Sequence, residues 1–330
     1  MSSFSVRFFL LPVSILLMQS VTFAQTDTGY FASDGEFMRL VEGGTFKMGA
    51  TEKEKYLISA SVPQHTVTVS DYYISTTEVS LANFKKFIYE TGYKTVAEII
   101  DSSYIKTKDD FAFTKGINWR HNEWGYLRDS MFNDFPVFHV SWYDAIEFCN
   151  WLSRREGLNP VYTIDRSTVD TCNKSEYDKL KWSVTWNDNL PNPGYRLPTE
   201  SEWEFAARGG NLSKGYFYSG SDEMSAVAVS KNEHLIYKGS YPVAGNTPNE
   251  LGIYNMSFNV MEWCWDWYAD YTPEAKINPK GAPSGNWRVK RGGAWYGLGF
   301  EGKPAFRNGY SSDTTFFCQG FRIAKNRKKN

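Results

Sequence analysis

Carboxylates, histidines and thiols are the side chains from which most catalytic centres are built, and in this sequence they are few and widely spaced. Glu262 and Asp266 lie four residues apart within the aromatic run Asn255 to Tyr268, read as NMSFNVMEWCWDWY. Two such carboxylates could serve as general acid and general base, as in glycoside hydrolysis. The same run also reads as a buried aromatic strand whose acids pair with arginines. Asn255 and Glu262, together with nearby carbonyls, further offer the hard oxygen donors that calcium takes. Ligand type favours a structural calcium over acid/base catalysis.

The other reactive groups narrow the chemistry by what they lack. The four histidines, His65, His121, His139 and His234, include no H-E-x-x-H and no H-x-H. That argues against a histidine-built zinc or iron centre. His65 and His139 adjoin strand-like sequence, where a hydrogen-bonded structural histidine is the usual case. There is no G-x-S-x-G elbow and no P-loop. Cys149, Cys172, Cys264 and Cys318 form no C-x-x-C and no zinc-like spacing. In an oxidising compartment they allow one or two disulfides, with three connectivities if all four pair. Cys264, among tryptophans, reads as a free buried thiol.

The stretch from Val289 to Ala324 is the best candidate for a site. It begins with Gly292-Gly293 followed by Ala294, Trp295 and Tyr296, and closes on Gly320-Phe321-Arg322. Glycine at this density points to close backbone approach in a loop-built site. Trp295, Tyr296, Phe300, Arg307 and Asn308 are candidate ligand contacts, since aromatic side chains in concave loops suit sugars or peptides. No catalytic residue is assigned. A different enzyme at the same place would need Glu301, Arg307 and Asp313 to converge.

These residues must be positioned by short elements. Gln25 to Glu36 reads as a polar lead-in. Phe37 to Gly49 reads as a hairpin about Gly43-Gly44, and Val67 to Ile74 as one strand. Ser80 caps a helix through Tyr89 that stops at Gly92, with Leu81, Phe84, Phe87 and Ile88 on one face. Phe135 to Val140 reads as an apolar strand leading to a helix capped by Ser141 and Asp144, which ends near Gly157. Residues 97–133 and 159–194 read as irregular, the latter as a polar excursion. Thr199 and Glu202 form a capping box for a short helix ended by Gly209-Gly210.

Bulk properties bound the function. Lys+Arg 36 against Asp+Glu 37 leaves a net charge of -1, so nothing points to a nucleic-acid partner. Aromatic content of 17% suits an irregular fold filled by large side chains, or a surface that stacks on ligands. Residues 1–24 read as a signal peptide, with Arg7, a short apolar run and Thr22-Phe23-Ala24 before the cut. The run is too short for a membrane span. A secreted or periplasmic protein is expected, with one domain over 37–330.

Seven blocks in order carry a family resemblance: Gly44 to Gly49, Pro136 to Trp142, Gly194 to Gly210, Pro248 to Tyr254, residues 255–268, Arg291 to Trp295 and Gly320 to Arg322. Together the chain resembles the formylglycine-generating enzyme family, also called the sulfatase-modifying factor family. The resemblance implies an α+β fold of irregular C-type-lectin-like kind, with short strands and few short helices. It also implies oxidation of a sulfatase cysteine to formylglycine, using oxygen and a copper ion held by two cysteines. At the corresponding positions this chain has Gly297 and Gly302. Ala294 stands where the family has a serine, and Met261 where it has a tryptophan. Glycine offers no copper ligand and alanine no hydroxyl. A copper oxidase is therefore not expected, and retained activity through Cys318 lacks a defined thiol setting. One calcium site of the family corresponds to Asn255 and Glu262 by side chain and to Phe258, in place of a usual glycine, and Val260 by carbonyl. The expectation is a pseudoenzyme that binds a protein or carbohydrate ligand as an accessory module.

Overall fold

The computed structural model describes residues 28–228 and 239–328. The signal segment, its cleavage point and His234 lie outside the described residues. The first half of the chain forms β1 (Gly29–Phe31), β2 (Phe37–Val41), β3 (Gly44–Met48), β4 (His65–Val69), β5 (Tyr72–Ser75), α1 (Leu81–Thr91), α2 (Val96–Ile99), β6 (Ser102–Lys106), β7 (Phe111–Lys115) and α3 (Trp142–Arg155). There follow β8 (Tyr162–Val169), β9 (Trp182–Trp186), β10 (Tyr195–Arg196), α4 (Glu200–Ala207) and α5 (Met224–Val227). The last part forms β11 (Met261–Trp267), β12 (Lys276–Ile277), β13 (Arg288–Arg291), β14 (Arg307–Tyr310), β15 (Gln319–Phe321) and β16 (Ala324–Asn326).

The strands gather into a five-stranded sheet, β1-β2-β5-β16-β10, a four-stranded sheet, β14-β13-β11-β15, a three-stranded sheet, β12-β4-β3, and two hairpins. In the first, β16 lies antiparallel to β5, which ties the end of the described chain to its beginning. In the second, Glu262 of β11 stands opposite Arg291 on one side and Gly320 on the other. That register sets the double-glycine loop against the closing strand. The architecture is the expected mixture of small sheets with few short helices.

The helices form where their caps and apolar spacing place them. Ser80 accepts from Asn83 N–H, and α1 ends on Gly92 at φ 66°, a left-handed conformation that glycine adopts at little cost. Leu81, Phe84, Phe87 and Ile88 are buried, and they pack with Phe148 of α3 and Trp119 in the largest core cluster. Ser141 with Asp144 and Thr199 with Glu202 both make complete capping boxes. Such caps stabilise a helix by about 1 kcal/mol each.

Several sequence expectations give way to tertiary pairing. Residues 37–49 are not a hairpin: β2 pairs with β5 and β1, while β3 pairs with β4 in another sheet. Val67 to Ile74 divides into β4 and β5 at Ser70-Asp71. The lead-in contributes β1, whose Gly29 to Phe31 pair with β2. Residues 135–140 form no strand: Pro136 makes an isolated bridge to Ser80, and His139 bends the segment at φ 59°. The polar excursion contains the β8-β9 hairpin, whose inner tryptophans join the core, and residues 97–133 contain the β6-β7 hairpin. All four cysteines are free, with Cys172 exposed and the other three buried.

Candidate functional site

The double-glycine loop is a sharp return. β13 ends at Arg291, a fully buried guanidinium held by Glu200, Glu204 and the carbonyls of Pro304 and Ala305. Gly292 and Gly293 then take φ values of 96° and 70°. A Cβ on Gly293 would stand 2.6 Å from the Glu301 carbonyl oxygen, so this position needs glycine for space as well as for conformation. The chain folds back through a 3-10 turn at Gly299–Gly302. Ala294 is buried with Met261, Trp295, Phe316, Phe317 and Cys318.

The two positions to which the resemblance assigns cysteines, Gly297 and Gly302, are filled from outside. The carboxylate of Glu301 lies against the Cα of Gly297, in the space a side chain there would use. Burial raises the pKa of that carboxyl, and it accepts from Leu298 N–H at 3.2 Å. The ring of Phe258 covers Gly302: three ring carbons lie 2.7 Å or closer to where a Cβ would stand. Ser257 Oγ donates to the Gly302 carbonyl at 2.6 Å, which fixes the two segments together.

Beneath this loop lies a polar cluster that the sequence did not reveal. The Cys318 thiol sits 3.7 Å from the Tyr296 hydroxyl, and burial pushes its pKa up to about 12. Lys290 is buried and makes no ion pair among the described residues. Its Nζ donates to Gln319 Oε1 at 2.8 Å and lies 3.7 Å from the centre of the Tyr310 ring. Desolvation brings its pKa down to about 8. An inert thiol beside a cation is not a copper-binding pair.

The five candidate contacts do not assemble into one surface. Trp295 and Tyr296 do meet, at 5.3 Å between ring centroids, and both pack on Phe317. Trp295 is only 9% exposed, so it forms the wall of a filled groove and not an open stacking platform. Phe300 packs apart from them, on Phe306. Arg307 is structural: it donates to both oxygens of Glu200 at 2.7 and 2.8 Å and lies between the rings of Tyr268 and Tyr271. Asn308 Oδ1 accepts from Gly309 N–H beside it. Nor do Glu301, Arg307 and Asp313 converge, because Asp313 is held by the N–H groups of Lys179 and Leu180.

The metal expectations meet the same test. Among the described residues no three His, Cys, Asp or Glu side chains converge on a point that could hold an ion. Copper finds no thiolate pair at Gly297 and Gly302, so the residues present do not fit it. For calcium, the carboxylate of Glu262 already accepts from Trp203 Nε1 at 2.6 Å and from Arg322 at 2.6 and 2.7 Å. Asn255 turns its Nδ2 toward Glu78 and the Val243 carbonyl. The Phe258 and Val260 carbonyls lie in the same buried turn, in which Asn255, Phe258 and Asn259 all have positive φ. A guanidinium thus takes the place of a cation at Glu262, and this donor set does not fit calcium as folded. The reading of the run as an aromatic strand with arginine-paired acids holds at Glu262, whereas Asp266 accepts instead from the Glu200 N–H.

A family model described as a sulfatase-modifying factor enzyme 1-like domain matches residues 26–327. The chaperone protein LppX of Paenibacillus barcinonensis is 33% identical over 307 residues, covering 87% of this chain and 89% of that protein. The formylglycine-generating enzyme of Bos taurus is 29% identical over 316 residues, 86% of this chain and 73% of the enzyme. Treponema denticola variable protein 1 superposes with a TM-score of 0.66 at 27% identity, covering 88% of this chain and 95% of that one. PvdO from Pseudomonas aeruginosa shares the fold, with a TM-score of 0.64 at 20% identity over 92% of this chain and 100% of that one.

Proposed function

The chain belongs to the family of sulfatase-modifying factor enzyme 1-like domains, and from that premise we propose that it is a member without copper oxidase activity, exported through its first 24 residues to act as a binding module. The observation that carries this reading is the closure of both cysteine positions. Gly297 and Gly302 lack thiols, and Glu301 and Phe258 occupy the room that thiols would need. Loss of a ligand alone could be reversed by one substitution. Loss of the space around it supports the reading that the groove serves another purpose.

A binding role is supported by what stays exposed near that groove. Trp124 packs on Trp295 at 5.9 Å and keeps 37% of its surface, while Tyr126 and Leu127 beyond it are mostly exposed. Apolar side chains left in solvent on a loop suit a protein or carbohydrate partner. A relative named a chaperone protein, similar over nearly its whole length, makes a polypeptide the first partner to test.

Copper(I) competition on the purified mature protein, against a chromogenic chelator, tests the first half of this reading. The chelator should keep all the metal. A copper ion retained by the protein at one equivalent overturns it. A panel of oligosaccharides and unfolded polypeptides, read by thermal shift, tests the second half: at least one should stabilise the protein saturably, and none doing so removes the binding role.

A further inference from the structure

Away from the double-glycine loop, a cavity of about 360 Å³ opens between β4, the start of α4, the end of β11 and the segment that includes β12. It shares no lining residue with the groove at Ala294, Gly297 and Gly302. Met48, Trp267, Tyr271 and Ala282 give it apolar walls. Much of its polar floor is already satisfied. Arg307 and Glu200 neutralise each other, and Glu200 also accepts from Tyr271 and Arg291.

Two further polar groups line the floor. Asp266 lines the cavity and accepts from Glu200 N–H through Oδ2 at 2.8 Å, the hydrogen bond its carboxyl makes among the described residues. Gly281 packs directly on it, so close that a Cβ there would stand 2.7 Å from the Asp266 Cβ. Burial, with the neighbouring Glu200 carboxylate second, pushes Asp266 up to about 8, so near neutrality it is a carboxylic acid with a proton to donate. Glu202 acts in the same sense and Arg307 opposes it. His65 engages the Pro63 carbonyl through Nδ1 at 3.2 Å, and burial keeps its ring neutral. At the mouth stand Lys276, without an ion pair among the described residues, Lys280, bound to Asp188 at 2.9 Å, and Asp270. With Lys280 neutralised by Asp188, Lys276 is the cation left there to face an anion, with Asp270 against it.

We propose that this cavity binds a small carboxylate with an apolar body, its carboxylate accepting a hydrogen bond from Asp266 and facing Lys276, its body against Met48, Trp267 and Tyr271. A neutral acid donating to a ligand carboxylate makes a charge-assisted hydrogen bond, about twice as strong as a neutral one. An alcohol of the same shape gains neither that bond nor the lysine, and an ammonium meets like charge. The cavity therefore selects by charge at one end and by apolar contact at the other.

Benzoate is the probe, with benzyl alcohol and benzylammonium as its neutral and cationic counterparts, titrated into the mature protein by calorimetry. Benzoate should saturate a single site and the other two should not. Lys276→Glu, a change at the rim that leaves the core intact, should weaken benzoate by about tenfold or more, the equivalent of one lost charge contact. Benzoate affinity for the parent should fall as pH rises through 8. Asp266→Asn should bind benzoate without that pH dependence, because the amide donates at every pH and its oxygen still accepts from Glu200 N–H. The proposal is overturned by absence of saturable benzoate binding, by equal affinity for the alcohol, or by a Lys276→Glu variant that binds as the parent does. None of these outcomes bears on whether the double-glycine groove is inert.

Discussion

The ring of Phe258 stands in the side-chain space of Gly302. Phe258 itself holds φ at 68°, a conformation a bulky side chain seldom takes, and the residue is 3% exposed. The strained backbone is kept because the ring fills a hole that glycine leaves.

Gly302→Cys should therefore destabilise the protein by about 1–3 kcal/mol, the usual cost of overpacking a filled core. Combined with Phe258→Gly, which empties the space, the cysteine should be tolerated better than the two separate losses predict. The coupling should reach about 0.5–3 kcal/mol. Urea denaturation of the four proteins in this cycle measures it. Additive losses would show that the two positions do not compete for one space.

Glu262 and Arg322 are both fully buried and joined by two hydrogen bonds. Arg322→Met should cost about 3–5 kcal/mol, since it leaves a buried carboxylate without its partner. Millimolar calcium should not restore the loss, because Asn255 turns its Nδ2 donor inward and Trp203 still donates to Glu262, so the remaining donor set does not fit the ion. Thermal unfolding with and without calcium checks this, and recovery by calcium would return the turn at 255–262 to the status of a metal site.

Acid titration offers a third check. Burial, followed by the neighbouring Asp178 charge, pushes Asp313 up to about 7. In the unfolded chain an aspartate titrates near 4. The folded state then holds a proton that the unfolded state has lost, so this pair contributes stability at low pH that declines as pH rises through about 7. Glu36 and Glu78, both pushed up to about 8 by burial, act in the same direction. Asp313→Asn should flatten the fall in stability between about pH 4 and 7, measured by urea unfolding at several pH values. An unchanged slope would remove that proton.

Much of this molecule was legible from sequence wherever a local rule governs. Ser80, Ser141 and Thr199 announce their helices by side-chain caps, and Gly92 marks a helix end by its φ. Glu262 could be read as a buried acid awaiting an arginine, although nothing local says that the arginine is Arg322, sixty residues later. Strand partners were less legible: β2 and β3 adjoin in sequence but belong to different sheets, because pairing is decided by long-range register. Glycines at 297 and 302 were readable as missing ligands, whereas their filling by Glu301 and Phe258 was not. The one signal available was the large residue at 258 where the resemblance implies a glycine, matched by the small one at 302. Arg307 misled as a ligand contact because its partner Glu200 is over a hundred residues away in the chain.

The most direct measurement is incubation of the purified mature protein, with copper and oxygen, on a peptide carrying the sulfatase cysteine motif, followed by mass spectrometry for the aldehyde. The filled groove predicts an unmodified cysteine, with or without copper. Conversion of that cysteine to formylglycine would contradict the central claim.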